Sequence, residues 1–156
     1  MSNILNWDEY FMLIARASSL RSKDPVMQVG ACIVDPDHHI ISTGYNGFPK
    51  GCSDEEFPWG KGNPNDLDNK FFYVVHAEQN AILNAKRDLS GCSIYVTLFP
   101  CNECAKSIIQ SGIKEVIYDR YDGTHDYEVA SYHMLSKAGV SLKHYMHSNK
   151  DIVFRI

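Results

Sequence analysis

Residues 76–85 read His-Ala-Glu-Gln-Asn-Ala-Ile-Leu-Asn-Ala, residues 92–98 Cys-Ser-Ile-Tyr-Val-Thr-Leu, and residues 101–110 Cys-Asn-Glu-Cys-Ala-Lys-Ser-Ile-Ile-Gln. The first stretch sets Ala77, Ala81, Ile82 and Ala85 on one helical stripe, which Asp88-Leu89-Ser90-Gly91 ends. The second is rich in β-branched and aromatic residues and predicts a strand. The third predicts a helix that stops at Ser111-Gly112. Glu115-Val116-Ile117-Tyr118 follows as another strand. Helices and strands in alternation mean an α/β layered domain.

On the N-terminal side, Trp7 to Leu20 places Trp7, Phe11, Ile14 and Ala15 on one helical face, with Tyr10, Leu13 and Ala17 flanking it. Residues 29–34 and 39–43 predict two strands around the turn Asp35-Pro36-Asp37-His38. The first is apolar enough to be covered on both faces, and the closeness of the pair makes the sheet mixed. On the C-terminal side, residues 126–138 predict a helix on the spacing of Val129, Tyr132, Met134 and Leu135, and residues 140–145 a closing strand. Residues 45–70 are long and rich in turn formers. Composition alone weighs a functional loop there equally with a plain surface insertion.

The chain has 156 residues, of which 44% are apolar and 22% charged. That fits one domain over residues 1–156, with a core that needs no disulfide staples. No apolar run reaches the length of a membrane span, and the first residues lack a signal sequence, so an intracellular, cytoplasmic protein is expected. The net charge is −4 and the basic residues are scattered, the longest basic cluster being Lys86-Arg87. This argues against a nucleic-acid partner and leaves room for a small anionic substrate. The five cysteines argue for reduced thiols and metal binding. Cys32 and Cys92 fall in strands and read as core residues. Cys52 lies in the long loop with no tight Cys/His spacing, a weak candidate for a second metal site.

His76, Cys101 and Cys104 are metal-ligating types at two successive helix starts. One His and two Cys leave a tetrahedral zinc one protein ligand short, the usual arrangement of a catalytic site. A helix start lowers a thiol pKa and so favours the thiolate that zinc requires. Glu78, two residues from His76, points away from the metal and is placed to take a proton from attacking water. Each element alone has another reading. Cys101-x-x-Cys104 also fits a thioredoxin-type redox motif, His76 a core or capping histidine, and Glu78 a carboxylate complementing the helix dipole. The combination favours catalytic zinc. A redox dithiol gives no reason for a His-x-Glu, and a structural zinc wants a fourth protein ligand.

Several stretches resemble the deoxycytidylate (dCMP) deaminase branch of the cytidine deaminase-like superfamily. They are Arg21-Ser22-Lys23-Asp24-Pro25, the run from Gln28 to Val34, Gly44-Tyr45-Asn46-Gly47-Phe48-Pro49, Gly51-Cys52-Ser53-Asp54, the run from His76 to Ile82, and the run from Leu98 to Lys106. His76-x-Glu78 with Pro100-Cys101-x-x-Cys104 carries the superfamily. The Gly-Tyr-Asn-Gly loop and Asn80-Ala81-Ile82 narrow it to the branch. The resemblance implies a three-layer α/β/α fold around a central mixed sheet of about five strands. It implies Zn²⁺-dependent hydrolytic deamination of dCMP to dUMP and ammonia, feeding thymidylate synthesis, with Glu78 as the proton carrier.

The resemblance also implies site residues. Asn46 would hold the sugar, and the Ala77 backbone would meet the base edge. Ser22, Lys23, Arg120 and Tyr121 are candidates for the 5′-phosphate, each weighed against a solvated surface role. The family's effectors, dCTP as activator and dTTP as inhibitor, bind with Mg²⁺ near the glycine-rich loop. Gly44, Tyr45, Gly47, Lys50 and Gly51 would supply that site through exposed backbone N–H groups and the Lys50 charge. A homo-oligomer, typically a hexamer, is implied. Related nucleotides such as dCTP or CMP stand as alternative substrates.

Overall fold

The structure, a computed structural model, describes residues 3–156. It begins with α1 (Trp7–Ser19), then β1 (Gly30–Val34) and β2 (Ile40–Tyr45). A long loop ends in a 3₁₀ turn (Lys70–Phe72), followed by α2 (Ala77–Ala85), β3 (Ser93–Leu98), α3 (Asn102–Gln110), β4 (Glu115–Arg120), α4 (Asp126–Lys137) and β5 (Ser141–His144). The sheet order is β2-β1-β3-β4-β5, with β1 antiparallel to both its neighbours and β3, β4 and β5 parallel. The fold is the mixed five-stranded α/β arrangement that the sequence implied.

Side-chain alternation along the strands builds the two layers that flank the sheet. Ala31, Ile33, Ile94, Val96, Val116 and Tyr118 point to one face, into a cluster with Ala77, Ala81, Ala105, Ile108 and Leu135 of α2, α3 and α4. Cys32, Val34, Tyr95 and Ile117 point to the other, against Phe11, Met12 and Ala15 of α1. Every residue of β1 is buried, as its uninterrupted apolar run requires. Cys32 and Cys92 are buried core residues, and burial pushes the Cys32 thiol up to about 12. Asn6 and Glu9 close a reciprocal capping box at the start of α1, each side chain taking the other's backbone N–H at 2.8 Å.

Two helical faces differ from the sequence reading. Trp7 is 52% exposed and Met12 is fully buried. The indole instead stacks on His38 of the β1–β2 turn at 4.4 Å. In α4 the buried residues are Glu128, Ser131 and Leu135, while Val129 and Tyr132 face outward. The Glu128 carboxylate accepts the backbone N–H groups of Asp122 and Gly123 at 3.2 and 3.4 Å. That grip accompanies an inward face that holds Glu128 and Ser131 as well as Leu135.

The long loop has its own interior. Phe48 packs on Trp59 at 4.2 Å and on Phe57 at 5.8 Å, and Phe57 meets Tyr73 at 5.2 Å. Gly47 and Val75 pair across an isolated bridge. Lys70 donates its backbone N–H to Gly60 and its ammonium to Asp24. The loop thus returns to the sheet edge at Val75 and delivers His76. Among the described residues no helix is long and apolar enough to cross a membrane.

Candidate active site

The strand directions gather the site at one edge. Since β1 is antiparallel to both β2 and β3, the ends of β2, β3 and β4 lie on the same side as the start of β1. Ligands of open α/β sheets characteristically bind beyond such carboxyl ends. Asn46 follows β2, Cys101 follows β3, and Arg120 ends β4.

His76 is the N-cap of α2 and Cys101 the N-cap of α3. Both therefore sit where unpaired N–H groups and the positive helix end stabilise anions. Cys101 Sγ accepts the Cys104 N–H at 3.5 Å. His76 Nδ1 lies 3.3 Å from Cys101 Sγ and 3.4 Å from Cys104 Sγ. The two helices are tied directly, Ser107 Oγ of α3 donating to Gln79 Oε1 of α2 at 2.7 Å. Around tetrahedral zinc, nitrogen and sulfur ligands stand roughly 3.5 Å apart, from bond lengths of about 2.0 and 2.3 Å. The His76–cysteine separations fit zinc with little movement, and the one-nitrogen, two-sulfur donor set is its chemistry.

The electrostatics are those of three ligand groups that share protons, which a metal would displace on binding. The Cys104 thiol, hydrogen-bonded to Cys101, holds Cys101 well below the usual thiol range; burial opposes this and His76 adds to it. Cys104 is driven upward in turn, first by Cys101 and then by burial. His76 is raised to about 9 by its hydrogen bond with Cys101, with burial opposing. Glu78 is 4% exposed and burial raises its carboxyl above the ordinary range. A carboxyl poised in this way can hold a proton and release it.

The remaining predicted residues divide. Asn46 is buried, its Oδ1 taking the Val29 N–H at 2.9 Å and its Nδ2 donating to the Met27 carbonyl at 2.9 Å. One Oδ1 lone pair stays available for a ligand hydroxyl. Ala77 is fully buried at the start of α2. Ser22 is buried and donates to the Asn46 carbonyl at 2.9 Å, so it holds that residue and is no exposed phosphate contact. Lys23 is exposed and paired with Asp54 at 2.7 Å. Arg120 stands in register with Leu98, and its carbonyl accepts the Phe99 N–H at 2.8 Å. Tyr121 packs on Phe99 at 4.5 Å. These two come to the edge from which Cys101 projects.

The glycine-rich run corrects one expectation. A Cβ on Gly44 would come 2.3 Å from the Ala77 carbonyl oxygen, so this glycine lets α2 lie against β2. The Gly47 N–H is spent on Val75 and that of Asn46 on Val29. Gly44 and Gly47 thus serve packing and pairing in place of the free phosphate cradle read from sequence. Tyr45 and Lys50 are exposed, as is Gly51 with its φ of +85°. Sequence reasoning missed Lys70, which is 4% exposed and bonded to Asp24. A lysine among turn formers carries no periodic signal. No candidate metal cluster among the described residues includes Cys52.

Residues 5–120 match the model of the cytidine and deoxycytidylate deaminase zinc-binding region. The chain is 51% identical over 152 residues to human deoxycytidylate deaminase, covering 96% of this chain and 85% of that one. It is 52% identical to a probable deoxycytidylate deaminase of Drosophila melanogaster, over 95% of this chain and 76% of the relative. Among solved structures it is similar to the dCMP deaminase of cyanophage S-TIM5 in complex with dCMP and dUMP, with a TM-score of 0.69 and 30% identity, covering 88% and 95% of the two chains. The chain therefore belongs to the cytidine and deoxycytidylate deaminase family defined by that zinc-binding region.

Proposed function

We propose that this protein hydrolyses the C4 amino group of dCMP, giving dUMP and ammonia, in one zinc-dependent deaminase domain spanning residues 1–156. The observation that carries the reading is the convergence of His76 Nδ1 and the two cysteine sulfurs within 4.8 Å, beside the buried Glu78. His76, Cys101 and Cys104 would hold the zinc. Zinc so held supplies the Lewis acidity that makes water a nucleophile near neutral pH.

The protein groups do the rest. Glu78, sealed from solvent, takes a proton from the attacking water, passes it to N3 of the ring and delivers a proton to the departing amine. The Ala77 backbone meets the base edge, Asn46 the sugar, and Arg120, Tyr121 and Lys23 the 5′-phosphate, Lys23 leaving Asp54 to do so. The product would serve thymidylate synthesis in the cytoplasm. Control by dCTP and dTTP with Mg²⁺, centred on Tyr45, Lys50 and Gly51, and assembly into a hexamer extend this reading by likeness to the family.

An absorbance assay of the zinc-loaded protein across dCMP, dCTP, CMP and deoxycytidine tests it. Losing a charged phosphate contact should lower kcat/KM for deoxycytidine by roughly tenfold to hundredfold relative to dCMP. A preference for deoxycytidine would overturn the phosphate assignment.

A further inference from the structure

Beyond the zinc-binding triplet, the turn between β4 and α4 gathers Asp122, His125 and Glu128, one ligand-type atom from each lying within 4.8 Å of the others. We propose that these residues form a second metal site, which takes a divalent transition cation through one imidazole nitrogen and two carboxylate oxygens.

Glu128 supplies the independent reason. Its side chain is 3% exposed, and Oε2 is occupied by the N–H groups of Asp122 and Gly123. Oε1 is buried and finds no hydrogen-bond partner among the described residues. No lysine or arginine pairs with this carboxylate among the described residues. A buried carboxylate oxygen without a donor or cation costs several kcal/mol by order of magnitude, and native structures rarely leave one so. Ser131 Oγ, three residues along the same helix, is the other buried orphan among the described residues, so unsatisfied polarity concentrates on this face.

The geometry is close to what a cation needs. His125 Nε2 stands 3.4 Å from Asp122 Oδ2, the distance of adjacent ligands on a metal with bonds of about 2.0–2.2 Å. One Glu128 carboxylate oxygen lies within 4.8 Å of a ligand atom on each of these two side chains. The N-terminus of α4 contributes about +0.5 of a charge against a cation, and the two carboxylates contribute −2, so the carboxylates decide the sign. One imidazole with two carboxylates suits zinc or manganese better than the softer ions that seek thiolates. The cation would staple the segment that follows Tyr121 to the first turn of α4.

The test is a titration of the full chain, loaded with one equivalent of zinc, with Mn²⁺ alone, free Mn²⁺ being read by its electron paramagnetic resonance signal. One saturable Mn²⁺ site per chain is expected. Asp122→Asn, His125→Ala and Glu128→Gln should each weaken it by on the order of tenfold or more, the least that losing a ligand costs. Elemental analysis should still find about one zinc per chain in each variant, which separates this site from the cysteine site. Asp122→Asn and His125→Ala alter exposed side chains and keep the test sound if Glu128→Gln fails to fold. His39→Ala, in the exposed Asp35-Asp37-His39 group, should leave Mn²⁺ binding unchanged. No saturable Mn²⁺ binding, parental binding in the three variants, or loss with His39→Ala would each overturn the proposal.

Discussion

Lys70 donates to Asp24 Oδ2 at 2.6 Å in an ion pair whose side chains are only 5% and 3% exposed. Asp24 also accepts the N–H groups of Val26 and Met27 and lies 3.4 Å from Asn46 Nδ2. The pair therefore fastens the long loop to the approach to β1 and to the residue proposed to hold the sugar. Removing one partner of a buried pair strands the other charge, at a cost of about 3–5 kcal/mol. Lys70→Met should lower Tm by roughly 10 °C in a chain of this size. Asp24→Asn added to Lys70→Met should recover part of the loss. A thermal melt of the single variant within about 2 °C of the parent would remove the pair from this role.

The same carboxylate sets an acid limit. Burial pushes the Asp24 carboxyl up, but Lys70 and the two backbone amides outweigh it and hold it below its ordinary value of 3.8. Asp119 is held low in the same direction, burial again opposed by Arg16 and His147. A folded-state pKa below the unfolded value contributes stability above the unfolded value and loses it as pH falls through the folded one. The contribution from these groups should be constant from pH 7 to about 5 and decline below about pH 4. Urea midpoints measured against pH check this. The decline should be shallower in Asp24→Asn, and an equal slope in both proteins would contradict it.

Gly44 and Gly30 offer a paired comparison. A Cβ on Gly44 would meet the Ala77 carbonyl oxygen at 2.3 Å and the Ala81 nitrogen at 2.5 Å, pressing on the helix that carries His76 and Glu78. A Cβ on Gly30 would meet the Ala15 carbonyl oxygen at 1.8 Å, pressing on α1, which carries none of the proposed site residues. Both alanine variants should lose about 1–3 kcal/mol or more from overpacking. Only Gly44→Ala should also weaken zinc retention under a chelator. Equal retention in the two would mean that α2 moves as freely as α1 without disturbing the ligands.

Local signals carried the strands, the helix ends and the metal triplet, because each depends on period, capping or ligand chemistry within a few residues. Cys101 and Cys104 announce themselves at a helix start, and Glu78 by its place two residues after His76. What stayed hidden depends on partners far along the chain. Ser22 reads as a surface hydroxyl until Asn46 is brought to it from 24 residues away. Lys70 carries no periodic signal, and its partner Asp24 lies 46 residues earlier. Gly44 and Gly47 look like a phosphate loop because composition does not say that α2 and Val75 have already claimed them. The inward face of α4 includes Glu128, whose carboxylate grips backbone amides, a contact that no hydrophobic period reports.

The most direct test is Glu78→Gln, which keeps the shape of the side chain and removes its proton chemistry. Purified parent and variant would be compared for zinc by elemental analysis and for dCMP turnover by absorbance. About one zinc per chain should remain in both, with turnover lower by at least on the order of a hundredfold in the variant. Deamination of dCMP at the parental rate by the zinc-loaded Glu78→Gln protein would contradict the role given to Glu78.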